Sequence, residues 1–409
     1  MIKLSLILAA LFPAAAAAQR PLGFDEARTA MLTANPQAMA AAAGLEAARE
    51  RLKAARAGLY PSFYASASYA RSGSQGLAPG DAYSYGFSGS QPLFSPSIPA
   101  SVRSAEAAHI SAKSSYDGLV SRLGYDLKSS FAGILNARET LKLSENTLKR
   151  REENLELIRL KYEAGRENKA ALLETEAALK TARWRHERYK KELLLLERGF
   201  NRLLGRAPRE PVPELLLPEP PAPPGDLSAF EASLLDHPSL RSARAAVDSA
   251  RAAEDSAESG RLPEASADGS YRWSGTDWPE RGGSWSLGAS LRLPLFAGGG
   301  LKARVAAARG ALASAEADLR DASEGVRLSA EDAFLSWREA AAWLDVAKSS
   351  LDAAEARAWL VRKQYLAGQS SYFEWRTVED SLITEQNDYL SAGRALVLAH
   401  AAFVRAIGE

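Results

Sequence analysis

From Gly283 to Phe296 the chain alternates between apolar and polar residues. Trp285, Leu287, Ala289, Leu291, Leu293 and Leu295 fall on one parity; Ser284, Ser286, Gly288, Ser290, Arg292 and Pro294 fall on the other. Strict alternation predicts a β-strand with one apolar and one polar face. Three more segments read the same way, at about 62–71, 83–94 and 264–273. In the second, Tyr83, Tyr85, Phe87 and Leu93 oppose Ser84, Gly86, Ser88 and Ser90. In the third, Ala265, Ala267, Tyr271 and Trp273 oppose Ser266, Asp268, Ser270 and Arg272. Gly-, Ser- and Asp-rich connections within each pair predict two hairpins. An Ala-rich helical segment precedes each, at about Phe24–Gly58 and Asp226–Gly260.

After each hairpin the period changes. No proline occurs between Pro99 and Pro208 or after Pro294, which leaves two long stretches free to be helix. Val120, Leu127, Ile134, Leu141, Leu148, Leu155 and Tyr162 recur every seven residues, as do Ala330, Trp337, Leu344, Leu351, Ala358 and Tyr365. A sustained seven-residue repeat predicts a helix packed along a partner helix. The second core position of each heptad is often Ala or charged, so the seam is thin and suits a helix standing in a wall.

The two halves repeat each other in register. QPLF at Gln91–Phe94 returns as LPLF at Leu293–Phe296, and Asn35-Pro36 as His237-Pro238, both 202 residues on. Phe131 matches Phe334, Ala164-Gly165 matches Ala367-Gly368, and Gly205 matches Gly408, all 203 residues on. The pattern predicts a duplication with copies at 19–209 and 226–409. Between them, 210–225 is a proline-rich linker whose prolines exclude helix.

Composition narrows the setting. The 409 residues carry a net charge of +1, which points to no general affinity for nucleic acid, and there are no cysteines. Disulfides, thiolate metal sites and acylation of an N-terminal cysteine are thereby excluded. Residues 1–18, with Lys3, an apolar run and Ala14–Ala18, predict a cleavable secretory signal. The four histidines lack ligand spacing, and no serine, histidine and acid grouping suggests an enzyme; the expected cofactors, metals and catalytic residues are none. Gly298–Gly300 lacks the lysine of a phosphate loop and reads as a strand-to-helix turn. The basic run Arg183–Lys191 reads as a solvated helix face.

Strands of about ten residues are long enough to cross an outer membrane when tilted. On that reading Tyr83, Tyr85, Phe87, Leu93, Trp285, Leu287, Leu291 and Leu293 face lipid. Four strands cannot close, and an open edge is not tolerated in lipid, so an oligomer is required. A dimer supplies eight strands and a filled interior; a trimer supplies twelve and room for a passage. A soluble four-stranded sheet is the alternative for the strands alone.

At this point the doubled plan resembles the outer-membrane efflux protein family, the TolC-like outer membrane factors. The paired QPLF and LPLF strand ends carry the resemblance, together with the turns KYEAGRENKAALLETEAAL at Lys161–Leu179 and QYLAGQSSYFEWRTVEDSL at Gln364–Leu382. The resemblance implies a mainly α fold with a membrane β-barrel part: a trimer, four strands per protomer in one 12-stranded barrel, and long coiled-coil-like helices forming an α-barrel tunnel. It places the chain in the outer membrane of a Gram-negative-type envelope, with a long periplasmic extension; the lack of cysteine adds the expectation of no lipid anchor. It implies a passive exit duct of an efflux pump or type I secretion system, partnered by a periplasmic adaptor and an inner-membrane transporter. Ala164, Gly165, Arg166, Ala367, Gly368 and Gln369 would be the adaptor-contacting tips. Tyr365 would link the gate shut, and Glu374 would form an acidic constriction. Thr377 stands where a second acid is usual, and in the first copy Tyr162 and Glu174 occupy the related positions. An exported coiled-coil scaffold without a pore is the competing reading.

Overall fold

The computed structural model describes residues 20–73, 79–276, 278 and 282–409. The expected signal segment, 1–18, lies outside the described residues. In chain order the first elements are β1 (Leu22–Gly23), α1 (Phe24–Ala34), α2 (Pro36–Ala57), β2 (Ser62–Ser72), β3 (Gly80–Phe94), α3 (Ser97–Glu163) and α4 (Lys169–Leu203). They are followed by β4 (Leu215–Leu216), a 3₁₀ turn (Leu227–Phe230), α5 (Glu231–Leu235), α6 (Pro238–Ser259), β5 (Glu264–Gly275), β6 (Gly283–Arg292), α7 (Gly300–Leu366) and α8 (Tyr372–Ala406). The same succession thus occurs twice. The long helices α3 and α7 each have 67 residues, about 100 Å at 1.5 Å per residue, and the returning helices α4 and α8 each have 35.

Three details differ from the pattern. The Ala-rich segments are not single helices: the first breaks at Asn35 and the second at His237, each the residue before a proline. The proline ring crowds the preceding residue out of the α region. β6 stops at Arg292 instead of running to Phe296, because Arg292 pairs with Glu264, the first residue of β5, and no partner strand lies beyond it; Leu293 therefore lies outside the strand. β3 runs through Pro92 to Phe94, at the cost of a register shift between those two residues.

The seven-residue repeat marks the packed stripe. Leu127, Ile134, Ala330, Trp337, Ala358 and Tyr365 are buried, and Leu141, Leu344 and Leu351 are half-buried. Tyr162 is the exception, on the surface.

The chain divides into two compact units, each drawing on both copies. One comprises the described residues up to Pro36, then Gly124–Pro223 and Ser336–Ala402; the other comprises Gln37–Leu123, Pro224–Leu335 and Phe403–Glu409. In the first, Phe131 lies edge-on to both Phe24 (5.9 Å) and Phe200 (5.4 Å), and β1 pairs with β4 in parallel. In the second, Phe403 packs on Phe230 at 4.9 Å and Phe334 at 5.9 Å. One aromatic trio is therefore built twice, once per unit.

The second unit holds the antiparallel sheet, in the order β2-β3-β5-β6. Its register places Tyr83 opposite Tyr69, Tyr85 opposite Trp273, and Tyr271 opposite Phe87 and Trp285. The reverse face pairs serines, with Ser270 and Ser286 hydroxyls 2.9 Å apart and those of Ser266 and Ser290 3.0 Å apart. β2 and β6 are the two edges, each with one side unpaired. Leu287 is 80% exposed and Trp285 75%, so the apolar face of β6 is bare. Among the described residues no helix is long and apolar enough to cross a membrane.

Candidate functional site

The two turns that reverse the long helices are built alike. At α3, Gly165 has φ +72° and its N–H donates to Tyr162 O, while Arg166 N–H reaches Lys161 O at 2.8 Å. At α7, Gly368 has φ +76°, its N–H donates to Tyr365 O, and Gln369 N–H reaches Gln364 O at 2.8 Å. This is the Schellman ending, in which a residue without a Cβ takes the left-handed position at no steric cost. The returning helices start on side-chain caps. Asn168 accepts from Ala171 N–H at 2.9 Å, and Ser371 accepts from Glu374 N–H at 3.2 Å. Ala164, Gly165, Arg166, Ala367, Gly368 and Gln369 are all exposed.

Behind these turns the first unit has an apolar cluster of Ile158, Ala171, Ala358, Val361, Tyr365, Tyr372, Trp375, Val378 and Leu382. Tyr365 is 2% exposed. Its hydroxyl donates to Glu167 Oε1 at 3.0 Å, and Trp375 stacks on its ring with centroids 4.6 Å apart and planes 8° apart. The Lys161 ammonium stands 3.7 Å from the ring centroid. Burial first, and then the Glu167 carboxylate, push the Tyr365 phenol far above its usual ionisation range, so it stays a donor. Nearby, the Tyr372 and Thr175 hydroxyls are 2.8 Å apart.

The other candidates lie close in sequence but find different partners. Glu374 is exposed in the first turn of α8 and accepts from the Ser370 hydroxyl at 2.8 Å. Thr377 donates to Phe373 O in its own helix at 2.7 Å. Glu174 pairs with Arg376. Tyr162 has no aromatic or cation partner among the described residues. Glu167, Lys161 and Trp375 are absent from the sequence-derived set. Glu167 had one available signal, an acid two residues after the turn glycine; the other two became visible only through packing. In the sheet, Phe87, Leu93 and Leu291 are exposed like Trp285 and Leu287, while Tyr83 and Tyr85 are half-buried among neighbouring rings.

An antiparallel sheet with one bare apolar face, followed in each copy by a 67-residue helix that reverses at a glycine turn, is the chain fold of outer-membrane channels. It aligns with the solved structure of CusC at a TM-score of 0.83 and 18% identity, covering 94% of this chain and 91% of that one. The sequence model of the outer membrane efflux protein family matches residues 28–206 and again 230–409, and the chain belongs to that family. It is 25% identical over 398 residues to the alkaline protease secretion protein AprF of Pseudomonas aeruginosa, covering 91% of this chain and 82% of AprF. It is 21% identical over 292 residues to the outer membrane efflux protein BepC of Brucella suis, covering 70% of this chain. That second match spans 63% of BepC, less than two thirds of its length.

Proposed function

We propose that three copies of this chain form a passive exit duct through the outer membrane, for an efflux pump or a type I secretion system. The observation that carries this reading is the sheet: four strands, two unpaired edges and an uncovered apolar face. Unpaired backbone groups in lipid each cost several kcal/mol, so each β2 edge must meet a β6 edge of a neighbour until the ring closes. Twelve strands leave a passage lined by the serine face, with Tyr83, Tyr85, Phe87, Leu93, Trp285, Leu287, Leu291 and Leu293 turned towards lipid. The helices extend the duct into the periplasm. Residues 1–18 direct export and are removed. The copies, 19–209 and 226–409, act as two repeats joined by the 210–225 linker.

Ala164–Arg166 and Ala367–Gln369 meet a periplasmic adaptor, whose docking shifts the tips from closed to open. An inner-membrane transporter supplies the energy. Tyr365 holds the closed tip through Glu167, and three copies of Glu374 attract cations at the constriction; Thr377, Tyr162 and Glu174 stand beside it. Purified protein in planar bilayers should conduct in steps and prefer cations. Glu374→Ala should reduce that preference and relieve divalent block, and unchanged selectivity and block would remove the ring from the account. A complete lack of conductance would remove the duct.

A further inference from the structure

We propose that Lys161 and Trp375 are positioning residues that clamp Tyr365 into its bond with Glu167, so the closed tip is held from three sides. The proposal rests on the duct reading above, in which the tips open. The four groups come from four chain segments: Lys161 from the last turn of α3, Glu167 from the turn after it, Tyr365 from the last turn of α7, and Trp375 from the first turn of α8. One ring face cannot hold both an indole at stacking distance and an ammonium at 3.7 Å, so the two bracket the phenol. Lys161 Nζ also lies 3.5 Å from Tyr365 O, which fixes it to backbone as well as ring. With Tyr365 and Trp375 at 2% and 3% exposure, water does not compete for the ring. The hydroxyl is therefore delivered to Glu167 by a ring that has nowhere else to go.

The first copy shows what the motif does without the bracket. Tyr162 precedes Gly165 by three residues, as Tyr365 precedes Gly368, yet Tyr162 is 38% exposed. Where the second copy has Trp375 the first has Leu172, and opposite Lys161 the second copy has Gln364. A tyrosine at this spacing is not enough; the indole on one face and the ammonium on the other distinguish the tyrosine that is held. Rings attract cations through their negative faces, and a guanidinium serves as well as an ammonium.

The test uses the full chain in planar bilayers, with the detergent-resistant oligomer confirming assembly of each variant. Lys161→Met keeps the stem and loses the charge. It should shift the closed-to-open ratio by roughly tenfold, the size of a desolvated cation–ring contact, and raise mean conductance as Tyr365→Phe does. Lys161→Arg should conduct like the unaltered protein. In a Tyr365→Leu background, Lys161→Met should add nothing, because its target is gone. If Lys161→Met conducts like the unaltered protein while Tyr365→Phe opens the channel, the clamp is wrong and the duct reading stands. A full additional effect of Lys161→Met in the Tyr365→Leu background also overturns it. If Tyr365→Leu, Glu167→Gln and Lys161→Met all leave conductance unchanged, tip gating falls and takes the clamp with it.

Discussion

Leu287→Arg should abolish assembly in the outer membrane, whereas Ser286→Arg, one residue away, should leave assembly intact. The two positions sit on opposite faces of β6, because successive strand residues point to opposite sides. Leu287 is near the middle of the strand, pairs with Gly269 across the ladder and is 80% exposed on the apolar face. An arginine at the midplane of a bilayer costs about 2–4 kcal/mol per copy, and in a trimer that penalty arises three times. Ser286 shares the other face with Ser270 and belongs, on the duct reading, to a wet interior where an arginine is solvated. Membrane fractionation and a detergent-resistant oligomer band measure the outcome. Equal tolerance of both arginines would mean that the apolar face is not against lipid.

The second large effect concerns the packing behind the tips. Arg151 on α3 has a side chain that is 10% exposed, and its guanidinium bonds Asp380 on α8 at 2.5 Å. Asp380 is also 3.7 Å from Arg376, which pairs with Glu174 on α4. Beside them Arg150 faces the buried Glu379 at 3.8 Å. One chain of charges therefore ties α8 to both α3 and α4, along a cleft of about 450 Å³. Asp380→Ala leaves Arg151 enclosed without its counter-charge. Removing one partner of a fully buried pair costs about 3–5 kcal/mol; Asp380 is half exposed, so about 2 kcal/mol is expected here. Faster amide exchange in the first turns of α8 should report it. Replacing both partners, Arg151→Met with Asp380→Leu, should recover most of the loss, since the stranded charge is gone. A single variant as protected as the unaltered protein would show that the pair does not hold these helices together.

Much of the architecture was legible because it rests on periodicity. Alternation located the four strands to within a few residues, and the heptads located α3 and α7 together with their buried stripe. The helix breaks at Asn35 and His237 are marked by the following prolines, a local signal that the description of each run as one Ala-rich helical segment leaves out. Alternation continues through Leu295, but a strand also needs a partner, and β5 begins only at Glu264, opposite Arg292. The tips were visible as glycines at matched places. Their interior was not: Arg151 and Asp380 are separated by 229 residues, and no local pattern announces an ion pair across that distance. Nothing in the local pattern singles out Trp375, whose ring stacks on Tyr365 only through packing. Charge and stacking partners are chosen by tertiary packing, which periodicity does not encode.

The central claim is that one chain cannot close its own sheet. The mass of the purified, detergent-solubilised protein tests it most directly, by sedimentation equilibrium under conditions that match out the detergent. Three chains per particle, with aggregation when the detergent is withdrawn, is the predicted result. A single chain that stays soluble and folded without detergent would contradict it.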